Sequence, residues 1–195
     1  MVYYQKAAIL DRIKIAIIGA GGLGRDLRSL LLGSGPYEFA GFWDDNTGSH
    51  PEVKGNIQAL KDQVAQQHVL IAVGNPQIRK KLYEELSKLN HLSFPTIVHE
   101  QAFLGDKSTI QLGEGTVVFP GAVLTTDIKI GENVIIHAGC SLHHDTRIGA
   151  HSVIMPGVRI SGGAQLGDES FVGSGICLPD QRTYSEKTTI KSPMH

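Results

Sequence analysis

The sequence predicts an α/β half-domain followed by a parallel β-helix of hexapeptide repeats, and three observations carry that reading. From Leu112 to Leu178 every sixth residue is aliphatic, through Val118, Leu124, Ile130, Ile136, Leu142, Ile148, Ile154, Ile160, Leu166 and Val172. Neither an α-helix nor an ordinary strand has that period. Glycine recurs every 18 residues in two series, Gly113, Gly131, Gly149, Gly167 and Gly121, Gly139, Gly157, Gly175. Three hexads therefore make one coil, and stacked coils supply the core that a single coil lacks. Ahead of the repeats, β-rich apolar runs alternate with amphipathic helical stretches, the pattern of a parallel sheet.

A chain of 195 residues with a formal charge of -1 suits two small units. The expected division is an extension over 1–12, a Rossmann-like unit over 13–92, the β-helix over 93–180 and a tail over 181–195. There is no dense Lys/Arg run to hold nucleic acid electrostatically. No apolar run reaches membrane-spanning length, and Met1 to Arg12 lacks a secretory core. A cytoplasmic protein without a nucleic-acid or membrane partner is expected. Cys140 and Cys177 match no zinc or redox spacing and read as free thiols.

In the first unit, Ile13 to Ile18 reads as a strand leading into the glycine turn Gly19-Ala20-Gly21-Gly22-Leu23-Gly24, and leucines at helical spacing follow from Arg25 to Leu32. A second strand, Phe39 to Trp43, ends in Asp44-Asp45. A third, Val69 to Val73, ends in Gly74-Asn75 ahead of a helix over Pro76 to Leu89. Ligands of such sheets gather at the carboxyl ends of the strands, which brings together Gly19 to Arg25, Asp44, Asp45, Gly74 and Asn75. Glycines 19, 21 and 24 permit a tight turn and close approach of a phosphate to N–H groups at a helix N-terminus, and Arg25 adds a charged donor. Asp44 stands 20 residues beyond Gly24, where a dinucleotide fold keeps its ribose carboxylate. Three strands are only half of the arrangement that holds NAD, so a mononucleotide or nucleotide sugar fits better.

In the coils the periodic aliphatic residue points inward, and the position two before it is mostly small: Thr116, Ala122, Cys140, Thr146, Ser152, Ala164 and Ser170. Before Leu112 the frame slips, since Val98, Leu104 and Ile110 keep the period but Leu112 follows only two residues later. An irregular first coil is expected. Residues 18 apart stack on successive coils, about 4.8 Å from each other. His144-Asp145 thus lies at a corner with Gly162 and Gly163 above and Thr126 and Asp127 below. Open space over the histidine is expected, with room for a thioester. An imidazole titrates near neutrality and an adjacent carboxylate fixes its tautomer, so His144 with Asp145 is a candidate general base. Exposed corners also tolerate histidine without chemistry, and spacing alone leaves both readings open.

Together, the glycine turn with Arg25, the Phe42-Trp43-Asp44-Asp45 strand end, Ile71 to Asn75 with Ile78-Arg79-Lys80, and the hexads with His143-His144-Asp145 resemble a known family. They look like the bacterial sugar O/N-acyltransferases, typified by the bacillosamine-pathway UDP-amino-sugar acetyltransferase and the sialic acid O-acetyltransferases. The resemblance implies a left-handed β-helix, a homotrimer, and sites between subunits that join acetyl-CoA to a nucleotide-linked sugar, with no metal. It also implies His144 and Asp145 as the base pair and places the thioester near Gly162 and Gly163. Nucleotide-sugar contacts fall on Gly19, Gly21, Gly22, Gly24, Arg25, Asp44, Asp45, Gly74 and Asn75. His137 stands where the family commonly has an asparagine, an acceptor contact. The family usually has a further coil where the aliphatic rhythm stops at Leu178.

The expected function is acetyl transfer from acetyl-CoA to an amino or hydroxyl group of a nucleotide-linked sugar, a UDP-amino-sugar being the leading substrate. The alternative is a non-catalytic nucleotide-sugar-binding trimer that has lost CoA chemistry with its last coil. Zinc catalysis in the manner of γ-class carbonic anhydrases is invited by His137, His143, His144 and His151, but no three-histidine pattern is recognisable.

Overall fold

The computed structural model describes residues 12–33 and 35–191. Of the extension expected over 1–12 only Arg12 is described, and residues 192–195 of the expected tail lie outside the described residues. The first unit runs β1 (Ile13–Ile18), α1 (Gly22–Gly33), β2 (Tyr37–Trp43), β3 (Val53–Gly55), α2 (Ile57–Lys61), β4 (Gln67–Ile71), α3 (Pro76–Leu86) and β5 (Leu92–Ser93). Its strands form one parallel sheet in the order β3-β2-β1-β4-β5. The sequence predicts three of these strands; β3 and β5 are too short to show a period of their own. Alternate residues of β1 enter two cores. Ile15 and Ile17 pack with Leu27, Leu30 and Leu31 of α1, while Ala16 and Ile18 pack with Leu60, Tyr83 and Leu86 on the other side. A sheet covered on both faces reads as a continuous apolar run, which Ile13–Ile18 is.

The second unit is a prism with three ladders of two-residue strands. Face I holds Ile97–Val98, Val117–Val118, Ile135–Ile136, Val153–Ile154, Phe171–Val172 and Thr189–Ile190. Face II holds Phe103–Leu104, Val123–Leu124, Ser141–Leu142, Arg159–Ile160 and Cys177–Leu178, and face III holds Gln111–Leu112, Lys129–Ile130, Arg147–Ile148, Gln165–Leu166 and Thr183–Tyr184. The second residue of each pair points inward, and from Val118 to Leu178 these side chains form one buried column with Leu112 half-covered beneath it. The small residues two positions ahead, Thr116, Ala122, Cys140, Thr146, Ser152, Ala164 and Ser170, are buried at the corners.

Two irregularities correct or refine the expectation. The coils do not stop near 180: Thr183–Tyr184 pairs with Gln165–Leu166, and Thr189–Ile190 pairs with Phe171–Val172. The segment expected as a tail over 181–195 is therefore coil as far as Ile190. The frame slip before Leu112 is two extra residues between Leu104 and Leu112 at the first II–III corner, where Asp106 accepts from the Ser108 amide and hydroxyl at 3.0 and 2.6 Å.

What positions the two units is the outward residue of face I. Ile97, Val117, Ile135 and Val153 are buried against Leu27, Leu30 and Leu31 of α1, so one apolar core spans both units. At the III–I corner, α3 adds polar contacts. Arg79 Nε donates to the Asn133 carbonyl at 2.6 Å, Lys80 Nζ pairs with Glu169 at 2.8 Å, and the Tyr83 hydroxyl donates to Glu114 at 3.2 Å.

Candidate functional site

The glycine turn follows β1 at the point where the sheet order reverses between β1 and β4, the crevice in which open α/β sheets bind ligands. Its glycines divide by what a side chain would meet. A Cβ at Gly19 would press on the Ala72 carbonyl at the end of β4, and one at Gly24 would strike the Gly19 carbonyl. Gly21, Gly22 and Gly74 face open space; packing does not require them, and they leave backbone accessible at the start of α1 (Gly21, Gly22) and ahead of α3 (Gly74).

The polar residues of this end are committed locally. Asp44 accepts from the Ala20 amide at 2.7 Å through one oxygen and from the Asn46 amide at 2.8 Å through the other. Asp45 accepts from the Ile57 amide at 3.0 Å, holding the start of α2, and Asn75 caps α3 through the Ile78 amide at 3.0 Å. Arg25 is exposed, its Nη1 3.5 Å from the Ala20 carbonyl.

His144 and Asp145 lie at the II–III corner. Asp145 Oδ2 sits 2.9 Å from His144 Nδ1, and both side chains are about two-thirds exposed, at 60% and 65%. A carboxylate at Nδ1 favours the tautomer whose lone pair is on Nε2, the arrangement a general base needs. Asp145 takes a left-handed backbone, φ 61°, as do Asp127, Gly163 and Gln181 in the same column. The register is as expected: Gly163 donates to the His144 carbonyl at 2.8 Å, and Gln181 donates to the Gly162 carbonyl at 3.0 Å.

The space above is not open. The His144 ring occupies the position a Gly162 Cβ would take, and the Gln181 side-chain amide occupies that of a Gly163 Cβ. Both glycines are filled by the chain's own side chains, so any thioester must reach the imidazole from its exposed side. Their amides differ as well. The Gly163 N–H is spent on His144, whereas the Gly162 N–H has no partner among the described residues. Gln181 falls in the segment the sequence predicts as a tail and carries no motif of its own, so only the extra coil brings it to this column.

His137 lies at the I–II corner, stacked on Phe119 with centroids 4.3 Å apart and its Nε2 3.5 Å from Asp26 Oδ2. Burial lowers its pKa, against a smaller upward pull from Asp26. His137, His144 and His151 stand at three different corners, and no group of His, Cys, Asp and Glu converges as a metal site among the described residues. The N-terminal unit covers face I, and the II–III corner is the prism edge opposite that face. One chain therefore does not bring the glycine turn and His144 together. A hollow of about 370 Å³ along face III, beside Lys129 and Arg147, contains none of these residues. No described helix is long and apolar enough to cross a membrane.

The PglD N-terminal domain family matches residues 14–86, and the bacterial transferase hexapeptide family (six repeats) matches residues 109–144. UDP-N-acetylbacillosamine N-acetyltransferase of Bacillus subtilis (strain 168) is 33% identical over 111 residues, 53% of this chain; the match spans 50% of that relative's length. Among solved structures, the acetyltransferase domain of PglB from Neisseria gonorrhoeae FA1090 in complex with acetyl coenzyme A is similar at a TM-score of 0.80 and 30% identity, covering 94% of this chain and 95% of that one. A histidine-to-asparagine mutant of perosamine N-acetyltransferase from Caulobacter crescentus, in complex with CoA and GDP-perosamine, is similar at a TM-score of 0.82 and 26% identity, covering 92% and 86%.

Proposed function

Because the chain belongs to the bacterial sugar O/N-acyltransferases with hexapeptide repeats, a Rossmann-like half-domain ahead of a left-handed β-helix, we propose that it transfers an acetyl group from acetyl-CoA to a nucleotide-linked amino sugar. The relatives' names support the reaction class. The observation that carries the assignment of roles is the His144 ring seated on Gly162 with Asp145 at its Nδ1, 2.9 Å away.

The diphosphate of the sugar nucleotide binds at the glycine turn, where Gly21 and Gly22 leave backbone accessible, the α1 N-terminus favours an anion, and Arg25 adds charge. Asp44 holds this turn from behind. We assign UDP as the handle, after the Bacillus relative, with Asp45, Gly74 and Asn75 beside it.

At the other end, His144 Nε2 takes the proton from the attacking nitrogen as the C–N bond forms and the C–S bond breaks, and returns it to the departing thiolate. The unpaired Gly162 N–H is the donor available to the developing oxyanion. Since the turn and His144 are apart within one chain, the reaction runs between copies, and we assign a homotrimer. Holding both substrates together makes the step effectively intramolecular. We assign the cytoplasm as the compartment.

The test is thiol release from acetyl-CoA with a UDP-4-amino sugar. His144→Ala is expected to cut turnover by about 10²–10⁴-fold while sparing nucleotide-sugar binding and melting temperature, since the ring is mostly exposed. Wild-type turnover in that variant removes His144 as the base. Sugar binding without thiol release by the wild type would favour the scaffold reading.

A further inference from the structure

Between α1 and the I–II corner lies a 280 Å³ pocket that begins one residue past Arg25, at Asp26. Its floor is a column of three rings on successive coils, His99, Phe119 and His137, and Ser29 and Pro120 join the walls. The volume suits a single sugar ring, below the range typical of drug-sized ligands.

Both histidines have a fixed tautomer. The Ala138 amide donates to His137 Nδ1 at 2.8 Å, and the Gln101 amide donates to His99 Nδ1 at 3.1 Å. Each ring therefore carries its hydrogen on Nε2 and serves as a neutral donor. His137 Nε2 lies 3.5 Å from Asp26 Oδ2, and burial disfavours the imidazolium that would neutralise the carboxylate. Asp26 forms no ion pair with Lys or Arg among the described residues. The pocket thus holds one formal charge, a carboxylate, among otherwise neutral polar and apolar walls.

We propose that this pocket seats the sugar ring and that Asp26, beside His137, selects a sugar carrying an ammonium group over its hydroxyl counterpart. This rests on the nucleotide-linked amino-sugar reading above and adds to it the side chain that recognises the amine. The ammonium sheds one proton to solvent before attack, and the second passes to His144.

The test is calorimetric titration of the full-length protein, without acetyl-CoA, against UDP- and GDP-linked 4-amino-4-deoxyhexoses and their 4-hydroxyl counterparts. Wild type is expected to prefer the amino sugar by about tenfold, the scale of one partly exposed charge pair. Asp26→Asn should abolish that preference by weakening only the amino sugar, and Asp26→Glu should restore part of it. Asp26 is 58% exposed, so the fold survives these changes. An unchanged preference in Asp26→Asn, an equal loss for both sugars, or no binding of either overturns the proposal. Binding with the predicted preference but no thiol release on adding acetyl-CoA would instead sink the transferase reading and leave this one standing.

Discussion

Two corners of the prism repeat the same backbone and do different work. At the III–I corner Gly115, Asn133, His151, Glu169 and Lys187 all have left-handed φ, as Asp127, Asp145, Gly163 and Gln181 do at the II–III corner. The first is covered by α3: Asn133, His151 and Glu169 are buried, and their polar atoms are taken up by Arg79, Lys80 and each other. The second is bare, and its imidazole–carboxylate pair faces solvent. A repeat corner becomes structural when another element covers it, and stays accessible, as the proposed chemistry requires, when it is left open.

The largest test of this contrast is Arg79→Ala. The guanidinium is fully buried, makes no ion pair among the described residues, donates to the Asn133 and Ile71 carbonyls, and leaves Nη2 unpartnered. Burial alone lowers its pKa to about 9, so it stays charged at neutrality. Truncation would strand two buried carbonyls, at about 1–3 kcal/mol each, and loosen the units. We expect a drop of about 3 kcal/mol in unfolding free energy, read by denaturant melts. A loss below about 0.5 kcal/mol would mean that the corner is not held by α3.

Next in size is Gly162→Ala set beside Gly149→Ala. At Gly162 the atoms nearest the added methyl belong to the His144 ring, an exposed side chain with room for another rotamer; at Gly149 they belong to Gly167 and Asp168 of the next coil, backbone included. Gly162→Ala should therefore lower turnover by on the order of 10²-fold, the cost of a misplaced group, with melting unchanged. Gly149→Ala should lower the melting temperature. The reverse pattern would erase the distinction between the reactive corner and the structural glycine column.

Much of this was legible in the sequence because the period of six is a geometric fact about the coil, and columns 18 apart follow from it. The final coil has a weaker signal although Tyr184 and Ile190 keep the phase of Leu178, because a tyrosine interrupts the aliphatic run and Ser185 replaces the glycine of the 113–167 column. No described coil stacks above Ser185, so the clash that forces glycine lower down does not arise. The docking face had a signal too. Val117-Val118, Ile135-Ile136, Val153-Ile154 and Phe171-Val172 double the apolar residue on one face in three, and the extra member is the one that meets the N-terminal unit. The open slot over His144 could not be judged from spacing. Glycine marks room for a side chain, and only coordinates reveal that His144 and Gln181 use that room themselves.

The smallest expected effect is on pH. His151 is buried at the III–I corner, with Nδ1 3.2 Å from Asn133 Nδ2 and Nε2 3.6 Å from Glu132. Burial lowers its pKa most, Arg79 and Lys80 lower it further, and Glu132 and Asp168 oppose them. The folded chain therefore binds this proton less readily than the unfolded chain, whose histidine titrates near 6.5. Wherever the unfolded state holds more protons, stability rises with pH. This contribution is accordingly present above about pH 6.5, declines as pH falls towards the lowered folded value, and is flat below it. His137, lowered by burial at the I–II corner, adds the same sign in the same window. Glu169, lowered first by its hydrogen bond to Lys80, adds stability that is lost only at lower pH, below the ordinary value of 4.5. Melting temperatures from pH 7.5 to 5.5 should thus fall by a few degrees in the wild type and by less in His151→Gln. An equal fall in both would place the proton-linked loss elsewhere and deny the covered corner its part in pH sensitivity.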